Sequence, residues 1–342
     1  MYAYVARRLL LAVPILITAS MLAFALVDLS GDPIADLILR LQQTTADGTV
    51  PQATIDAERE RLYLDRSMPE RYWLWLTGIG GHGDIGLLQG KWGPSVRAEG
   101  HDIGGEIGAR FLVTFRLVLI AVMMAIGLAI ITGVISAVRQ YRKTDYILTF
   151  VGFLALAMPT FWLAAFIKET GIWANQRVGA TLFYTIGATS PDTRDFTLGQ
   201  NIGDVVGHLI LPTLALMLTG YAAASRYQRS AMLDVLNSDY IRLARAKGLR
   251  NSVVMRRHAL RTALIPVATF APLAIAGAFS GVVIVEFIFN WRGLGTYLLE
   301  SIVNNDSYAV MGWLVLAGSL VVAANLVADL LYAALDPRIR YG

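Results

Sequence analysis

Residues 226–266, RYQRSAMLDVLNSDYIRLARAKGLRNSVVMRRHALRTALIP, form a polar insert between two long uncharged segments. The insert contains nine Arg or Lys residues against two Asp, and Gly248 lies near its middle. The uncharged segments on both sides have the length that crosses a bilayer as a helix. A polar helix–glycine–helix insert between two membrane spans predicts a docking surface for a soluble partner, on a protein that the partner moves.

Composition places the whole chain in a membrane. Of its 342 residues, 56% are hydrophobic and only 16% are charged, whereas soluble domains carry about 25% charged residues. Six uncharged or nearly uncharged runs of 19 to 24 residues account for the difference, and each is long enough to cross a hydrocarbon core of ~30 Å. We predict an all-α integral membrane protein with six transmembrane helices, several of them kinked by proline. The predicted spans are Leu9–Val27, Leu117–Val138, Tyr146–Ile167, Val205–Ser225, Thr262–Val285 and Ser307–Ala328.

The positions of the basic residues predict the orientation. Sixteen of the 29 Arg and Lys lie in the two terminal tails and in the connections between spans 2 and 3 and between spans 4 and 5. The positive-inside rule therefore predicts that both termini are cytoplasmic and that the region after span 1 is external. Orientation explains the net charge of +4, so we infer no nucleic-acid binding. Span 1 has no small-residue cleavage site after it, so we expect an uncleaved anchor rather than a signal peptide.

The sequence lacks the motifs of an enzyme. It contains no Gly-x-x-x-x-Gly-Lys-Ser/Thr phosphate loop, no His-Glu-x-x-His and no Gly-x-Ser-x-Gly. It has no cysteine, and its four histidines lie in different segments, so we predict no metal site. Ionisable residues near the spans, including His208 and Glu286, lie at predicted span ends, from which side chains reach water. We predict no catalytic, cofactor-binding or metal-binding residue, and an energy source outside this chain.

The insert divides into two predicted helices. Ser238 has the side chain of an N-cap for a helix over Asp239–Lys247, and Gly248 supplies the left-handed residue that ends it. Asn251 or Ser252 is the predicted cap of a second helix. Within the first helix, small residues recur along one face and basic residues surround them, which favours a docking seam in a partner's groove.

The alternative to docking is that the positive charge of the insert only fixes the orientation of the protein in the membrane. Such an orientation signal needs only a few Lys or Arg, not a pair of capped helices, so we favour docking. Span 5 contains a second small-residue pattern, Gly277-x-x-x-Gly281, which allows either packing within the chain or contact with another subunit. The predicted docking residues are Asp239, Tyr240, Ile241, Arg242, Ala244, Arg245, Lys247 and Gly248, with Ile241, Ala244 and Gly248 on the seam.

Five stretches carry a family resemblance: YIRLARAKGL at 240–249, RHALR at 257–261, MPTFWLA at 158–164, VEFIFNW at 285–291 and LDPRIRY at 335–341. The insert resembles the EAA loop of inner-membrane permease subunits of binding-protein-dependent ABC importers. Within that group the chain is similar to the B-type permeases of the oligopeptide/dipeptide/nickel branch. It departs from the general pattern at Arg242, which replaces a Glu, and at Arg292, which replaces a proline.

The resemblance implies a type I ABC importer permease architecture. The implied organisation is a tail and first helix over 1–28, an external region over 29–108, a five-helix transmembrane domain over 109–336 and a cytoplasmic tail over 337–342. The transmembrane domain contains the cytoplasmic coupling loop, residues 226–262.

The resemblance also implies partners and a function. The chain would form, with a homologous second permease, the path for short peptides that an external substrate-binding protein delivers at a bacterial cell membrane. Two ATPase subunits, or one fused ATPase, would hold the ATP and grip the coupling loop. Nickel, opines or glycosides are alternative cargo. The rival classes are a self-sufficient channel or secondary carrier, and a membrane anchor or sensor.

Overall fold

The computed structural model describes residues 2–29, 31–35, 38–39, 42 and 49–335. The predicted tail over 337–342 lies outside these residues. The described residues form two compact units, one drawn from 1–113 and 293–322 and the other from 114–292 and 323–342. Helices dominate both units, and the described strands form a single two-stranded antiparallel sheet.

The first unit combines long apolar helices with a small polar region. Its strands pair with Ile85 opposite Trp92. Phe24 packs on Tyr72 and Trp75 with ring centroids 5.6 and 6.2 Å apart, and Trp75 is completely buried. The elements are α1 (Tyr2–Leu29), α2 (Gln52–Arg61), α3 (Met68–Thr77), β1 (Ile85–Gly86), a 3₁₀ turn (Leu87–Gln89), β2 (Lys91–Trp92), the start of α4 (Ile103–Val138), α12 (Leu294–Val303) and the start of α13 (Ser307–Leu335).

The second unit is a helical bundle around one long helix. That helix, α7 (Leu198–Leu236), contacts α5 (Lys143–Ala157), α6 (Thr160–Val178) and α11 (Ile265–Phe289). It runs past the predicted span end at Ser225, so the first residues of the predicted coupling loop are its last turns. The other elements are the rest of α4, α8 (Asp239–Ala246), α9 (Asn251–Val253), a π-helix (Val254–Leu260), α10 (Arg261–Ala263) and the end of α13.

The helices agree with six membrane crossings. Among the described residues, five helices are long and apolar enough to span, and a sixth crossing results if α5 and α6 count as one broken span. The predicted span over Tyr146–Ile167 is bent at Pro159, one of the prolines predicted to kink the spans: α5 and α6 meet there at an angle of 104°. Pro159 has no N–H to donate and forces Met158 into an extended conformation, φ −83° and ψ 125°.

Candidate functional site

The short helix α8 begins after Ser238 and ends before Gly248. Gly248 has φ +75°, which confirms the predicted left-handed residue, and its N–H donates to the carbonyl of Arg245 at 3.0 Å. The predicted cap is wrong: Ser238 has the N-cap position, but its hydroxyl donates backward to the carbonyl of Val235 at 2.6 Å. Asp239 places a negative charge in the first turn and Arg245 a positive charge in the last turn. The helix dipole favours both charges at these positions.

The inner face of α8 packs on the chain itself. Ile241 is fully buried and Ala244 is 8% exposed. They belong to a cluster that we call the helix-end core. These two members of the predicted docking seam therefore face the chain's own core, because an isoleucine gains more from burial there than from exposure to water. The helix-end core consists of Ala137, Met232, Ile241, Ala244, Val254, Ala259 and Ala263.

The outer face of α8 combines large apolar side chains with positive charge. Tyr240 is 43% exposed and Leu243 is 56% exposed, one helical turn apart. The ion pair of Asp239 and Arg242 spans 3.5 Å between two solvated side chains and therefore contributes little to stability. The outer face of α8 is therefore an exposed apolar pair in a segment rich in exposed positive charge. The exposed basic residues of α8 and of the segment that follows it are Arg242, Arg245, Lys247, Arg250, Arg256, Arg257 and Arg261.

The predicted second helix is present, with an unusual geometry. Residues 251–263 are helical throughout, but Val254–Leu260 is a π-helix. Arg250 has the N-cap position, so Asn251 is the first helical residue rather than the cap. π-helical turns are rare and frequently mark functional segments. The segment leads without a loop toward α11, in which Pro266 lies at the start rather than in the interior.

Two ionisable residues near span ends are buried rather than in contact with water. Glu286 is 0% exposed and accepts a hydrogen bond from the hydroxyl of Thr114. His208 is 3% exposed, and its ring stacks on Tyr184 at 4.1 Å. Its Nδ1 lies 2.9 Å from the carbonyl oxygen of Asp204. The prediction that these side chains extend to water is wrong, since hydropathy gives depth in the membrane but not the neighbours that satisfy a polar group.

A cavity of about 270 Å³ lies in the second unit. A Cβ added to Gly277 or Gly281 would meet no atom of the described chain within 4 Å. The predicted small-residue pattern of α11 therefore faces open space and is not filled by another described helix. The cavity has a mostly apolar wall with two hydroxyl groups, those of Thr160 and Thr219.

The sequence pattern did not predict one pair of residues close to the helix-end core. The buried Asp145, in the first turn of α5, and the half-buried Arg229, on α7, form an ion pair with two hydrogen bonds of 2.9 Å. A signal exists in the sequence, because Asp145 is a lone acid directly after Arg139, Arg142 and Lys143. Nothing in that local signal identifies Arg229 as the partner.

Comparisons with known proteins agree with this fold. The family model "Binding-protein-dependent transport system inner membrane component" matches residues 125–341. The oligopeptide transport system permease protein OppB of Mycobacterium tuberculosis (strain ATCC 25618 / H37Rv) is 39% identical over 337 residues, which are 98% of each chain. The oligopeptide transport system permease protein AppB of Bacillus subtilis (strain 168) is 37% identical over 342 residues, the whole of each chain.

A solved structure has the same fold. A chain of the MetNI methionine ABC transporter, crystallised in inward-facing conformations, superposes with a TM-score of 0.53 at 15% identity, over 67% of this chain and 96% of that one. At this identity the likeness concerns the fold alone, and it confirms the predicted helical permease architecture. The matched residues 125–341, which contain α8 and the π-helix, and the two relatives matched over nearly their full length together show that the chain belongs to the family of binding-protein-dependent transport system inner membrane components.

Proposed function

We propose that this chain is a permease subunit of an ATP-driven importer of short peptides. The proposal for peptides is supported by the two full-length relatives described above, both of which are named oligopeptide permeases. Nickel, opines and glycosides are the alternative cargo. ATP is held by partner subunits, since the sequence of this chain lacks a phosphate-binding loop.

The proposed complex contains four kinds of part. This chain and a homologous second permease form the path, and the glycines of the α11 cavity are suited to face that path or the second permease. Two ATPase subunits, or one fused ATPase, act from the cytoplasm, and a substrate-binding protein delivers peptide from outside. The sixteen basic residues in the tails and two connections support cytoplasmic termini. The two bacterial relatives support a location in a bacterial cell membrane.

The two faces of α8 carry the docking proposal. Its inner face is locked into the helix-end core through Ile241 and Ala244, while its outer face presents Tyr240 and Leu243 to a partner. A force applied to the outer face therefore reaches α4 and α7 through packed side chains rather than through a loose loop. The proposed mechanism is alternating access, in which closure of the ATPases moves α8 and so tilts the spans. The docking residues are Asp239, Tyr240, Ile241, Arg242, Ala244, Arg245, Lys247 and Gly248, of which Ile241 and Ala244 act from the inner side.

Leu243→Asp tests the docking surface. The variant puts a charge at the centre of the exposed apolar pair, and we expect it to lower retention of the ATPases on the purified permease pair by about tenfold or more. Leu88→Asp is the matched control, because Leu88 is 75% exposed and lies on the 3₁₀ turn of the other unit. Full retention of the ATPases by Leu243→Asp would remove α8 as the docking site.

Reconstitution separates the importer from its rivals. A channel or carrier predicts solute flux through liposomes that contain this chain alone, and an anchor or sensor predicts no flux in any combination. The importer predicts peptide uptake only when the second permease, the ATPases, ATP and the binding protein are all supplied. Flux through the isolated chain, with or without an ion gradient, would overturn the proposal.

A further inference from the structure

Asp145 ties together three parts of the second unit. Its side chain is 5% exposed, and it accepts two hydrogen bonds of 2.9 Å from Nε and Nη2 of Arg229 on α7. The hydroxyl of Ser136, near the end of α4, donates to the same carboxylate. So does the backbone N–H of Tyr141 in the turn between α4 and α5, at 3.0 Å. We call these four residues the Asp145 cluster.

The cluster is geometrically specific. Arg229 binds the carboxylate with two parallel N–H groups, and its Nε also lies 3.0 Å from the hydroxyl of Ser136. A lysine ammonium in place of the guanidinium lacks this planar fork and cannot reproduce the pairing. Tyr141 has φ +64°, a conformation unusual for a residue with a side chain. The N–H bond to Asp145 holds the turn in that conformation.

The two long helices of the cluster approach each other closely beside it. A Cβ built on Gly133 of α4 would lie 2.9 Å from the Cβ of Gln228 and 3.0 Å from the backbone nitrogen of Arg229. Only a glycine permits this approach, since real Cβ contacts are longer. The Asp145 cluster therefore lies where α4 and α7 are in near backbone contact.

The same two helix ends carry α8. Ala137 directly follows Ser136, and Met232 lies one turn after Arg229; both belong to the helix-end core that buries Ile241 and Ala244. The polar cluster and the apolar core are thus neighbouring layers on one pair of helices. The apolar layer attaches α8 to α4 and α7, and the polar layer attaches α4 and α7 to the start of α5.

We propose that Asp145 and Arg229 are positioning residues of energy coupling, which make the ends of α4, α5 and α7 move with α8 as one block. The inference rests on the proposed function of α8 as the ATPase docking site. It adds that a force on α8 is transmitted to α5 through this ion pair. Weakening the pair should leave ATPase docking and ATP hydrolysis intact and lower the peptide moved per ATP.

The test measures coupling in the complete importer in proteoliposomes with its binding protein. Uptake of radiolabelled trialanine and pentaalanine is divided by ATP hydrolysed, for assembled complexes only. We expect Asp145→Asn and Arg229→Lys to lower this ratio by about fivefold or more, the low end of ordinary coupling between sites. Ser136→Ala keeps the ion pair and should lower the ratio by a smaller factor.

Matched controls remove effects of the substitution itself. Arg139→Lys and Asp192→Asn make the same changes at exposed positions and should leave the ratio at the wild-type value. A purely structural role would reduce the yield or melting temperature of the complex but not the uptake per ATP of complexes that assemble. If Asp145→Asn does not assemble, Arg229→Lys and Ser136→Ala decide the question. A wild-type ratio in all variants that assemble would overturn the inference.

An error in the proposed function itself would give a different experimental result from an error in the role of the Asp145 cluster. If wild-type importer takes up neither peptide, or if Leu243→Asp retains its ATPases, the peptide cargo or the docking surface is wrong. A wild type that imports peptide, together with coupling that is insensitive to the Asp145 cluster, refutes this inference alone.

Discussion

The hydroxyl of Tyr63 donates a 2.6 Å hydrogen bond to the carboxylate of Asp84, and it accepts one of 2.8 Å from the backbone N–H of His82. Tyr63 is 1% exposed and follows α2 with φ +59°. Its ring stacks on that of His82 with centroids 5.3 Å apart. This one side chain thereby ties the end of α2 to the turn before β1 in the first unit.

Tyr63→Phe should destabilise the protein. The change leaves Asp84 and the N–H of His82 without this partner, which we expect to cost about 1–3 kcal/mol in the free energy of unfolding. Chemical unfolding in detergent measures the loss. Tyr146→Phe is the control, because Tyr146 is 63% exposed and should show no loss.

The effect of Tyr63→Phe should depend on pH at the alkaline end. Burial and the hydrogen bond to Asp84 raise the pKa of Tyr63 from 10.0 to about 12. Because the folded-state pKa is the higher one, this stabilisation is present below pH 10.0 and is lost as pH rises to about 12. The difference in the free energy of unfolding between wild type and Tyr63→Phe should therefore decrease between pH 10.0 and about 12. An increase of this difference over the same pH range would contradict the role of the Tyr63 hydroxyl.

Gly248→Val should uncouple transport without removing the protein from the membrane. Gly248 has φ +75° and open space around a Cβ, so the penalty comes from backbone strain rather than a clash, at about 1–2 kcal/mol. Asparagine tolerates this conformation better than other residues with side chains. At equal membrane abundance, we expect peptide uptake to be highest for Gly248→Asn, lower for Gly248→Ala and lowest for Gly248→Val. Equal uptake by all three variants would show that the left-handed conformation at Gly248 is not needed for transport.

Cysteine labelling should report the proposed orientation. The sequence has no cysteine, so single cysteines are unambiguous. Leu88 is 75% exposed and suits the external site better than the nearby Ser95, which is 1% exposed. In intact cells a membrane-impermeant thiol reagent should label Leu88→Cys and not Ser230→Cys, and permeabilisation should expose the second site. The reverse pattern would invert the topology.

Gly281→Leu should block transport if the α11 cavity faces the peptide path. The side chain has room to enter the cavity, because no described atom lies within 4 Å of a Cβ built on Gly281. We expect lower peptide uptake with unchanged assembly, as measured by co-purification. Gly127→Leu is the control at an exposed helical glycine that also has open space around it. Wild-type uptake by Gly281→Leu would place the path elsewhere, and loss of the second permease would identify a subunit contact.

Local chemistry made much of the fold predictable from sequence. Span number follows from the length of apolar runs, since each run must satisfy its own backbone as a helix in lipid. Gly248 was predictable as a left-handed residue because helix ends favour glycine there. The break at Pro159 had a local signal as well. The sequence predicts a kink there but not the angle of 104°, because apolar composition continues on both sides of the bend.

Other features depend on which helices meet. The spacing of Ile241 and Ala244 shows that they share a face of α8, but only the packed ends of α4 and α7 make that face the inner one. Glu286 and His208 lie at span ends in the sequence, and only the fold shows that they are buried with Thr114 and Tyr184. Hydrophobic periodicity specifies a face, not its neighbour.

The sequence by itself determined the membrane crossings, the polar insert with its glycine, and the family resemblance, because these reside in contiguous residues. Only the tertiary structure decided that Arg229 is the partner of Asp145, 84 positions away. That pairing needs the close approach of α4 and α7 that Gly133 permits. Burial then makes a bidentate partner necessary, since a carboxylate removed from water is stable only when its charge and lone pairs are satisfied.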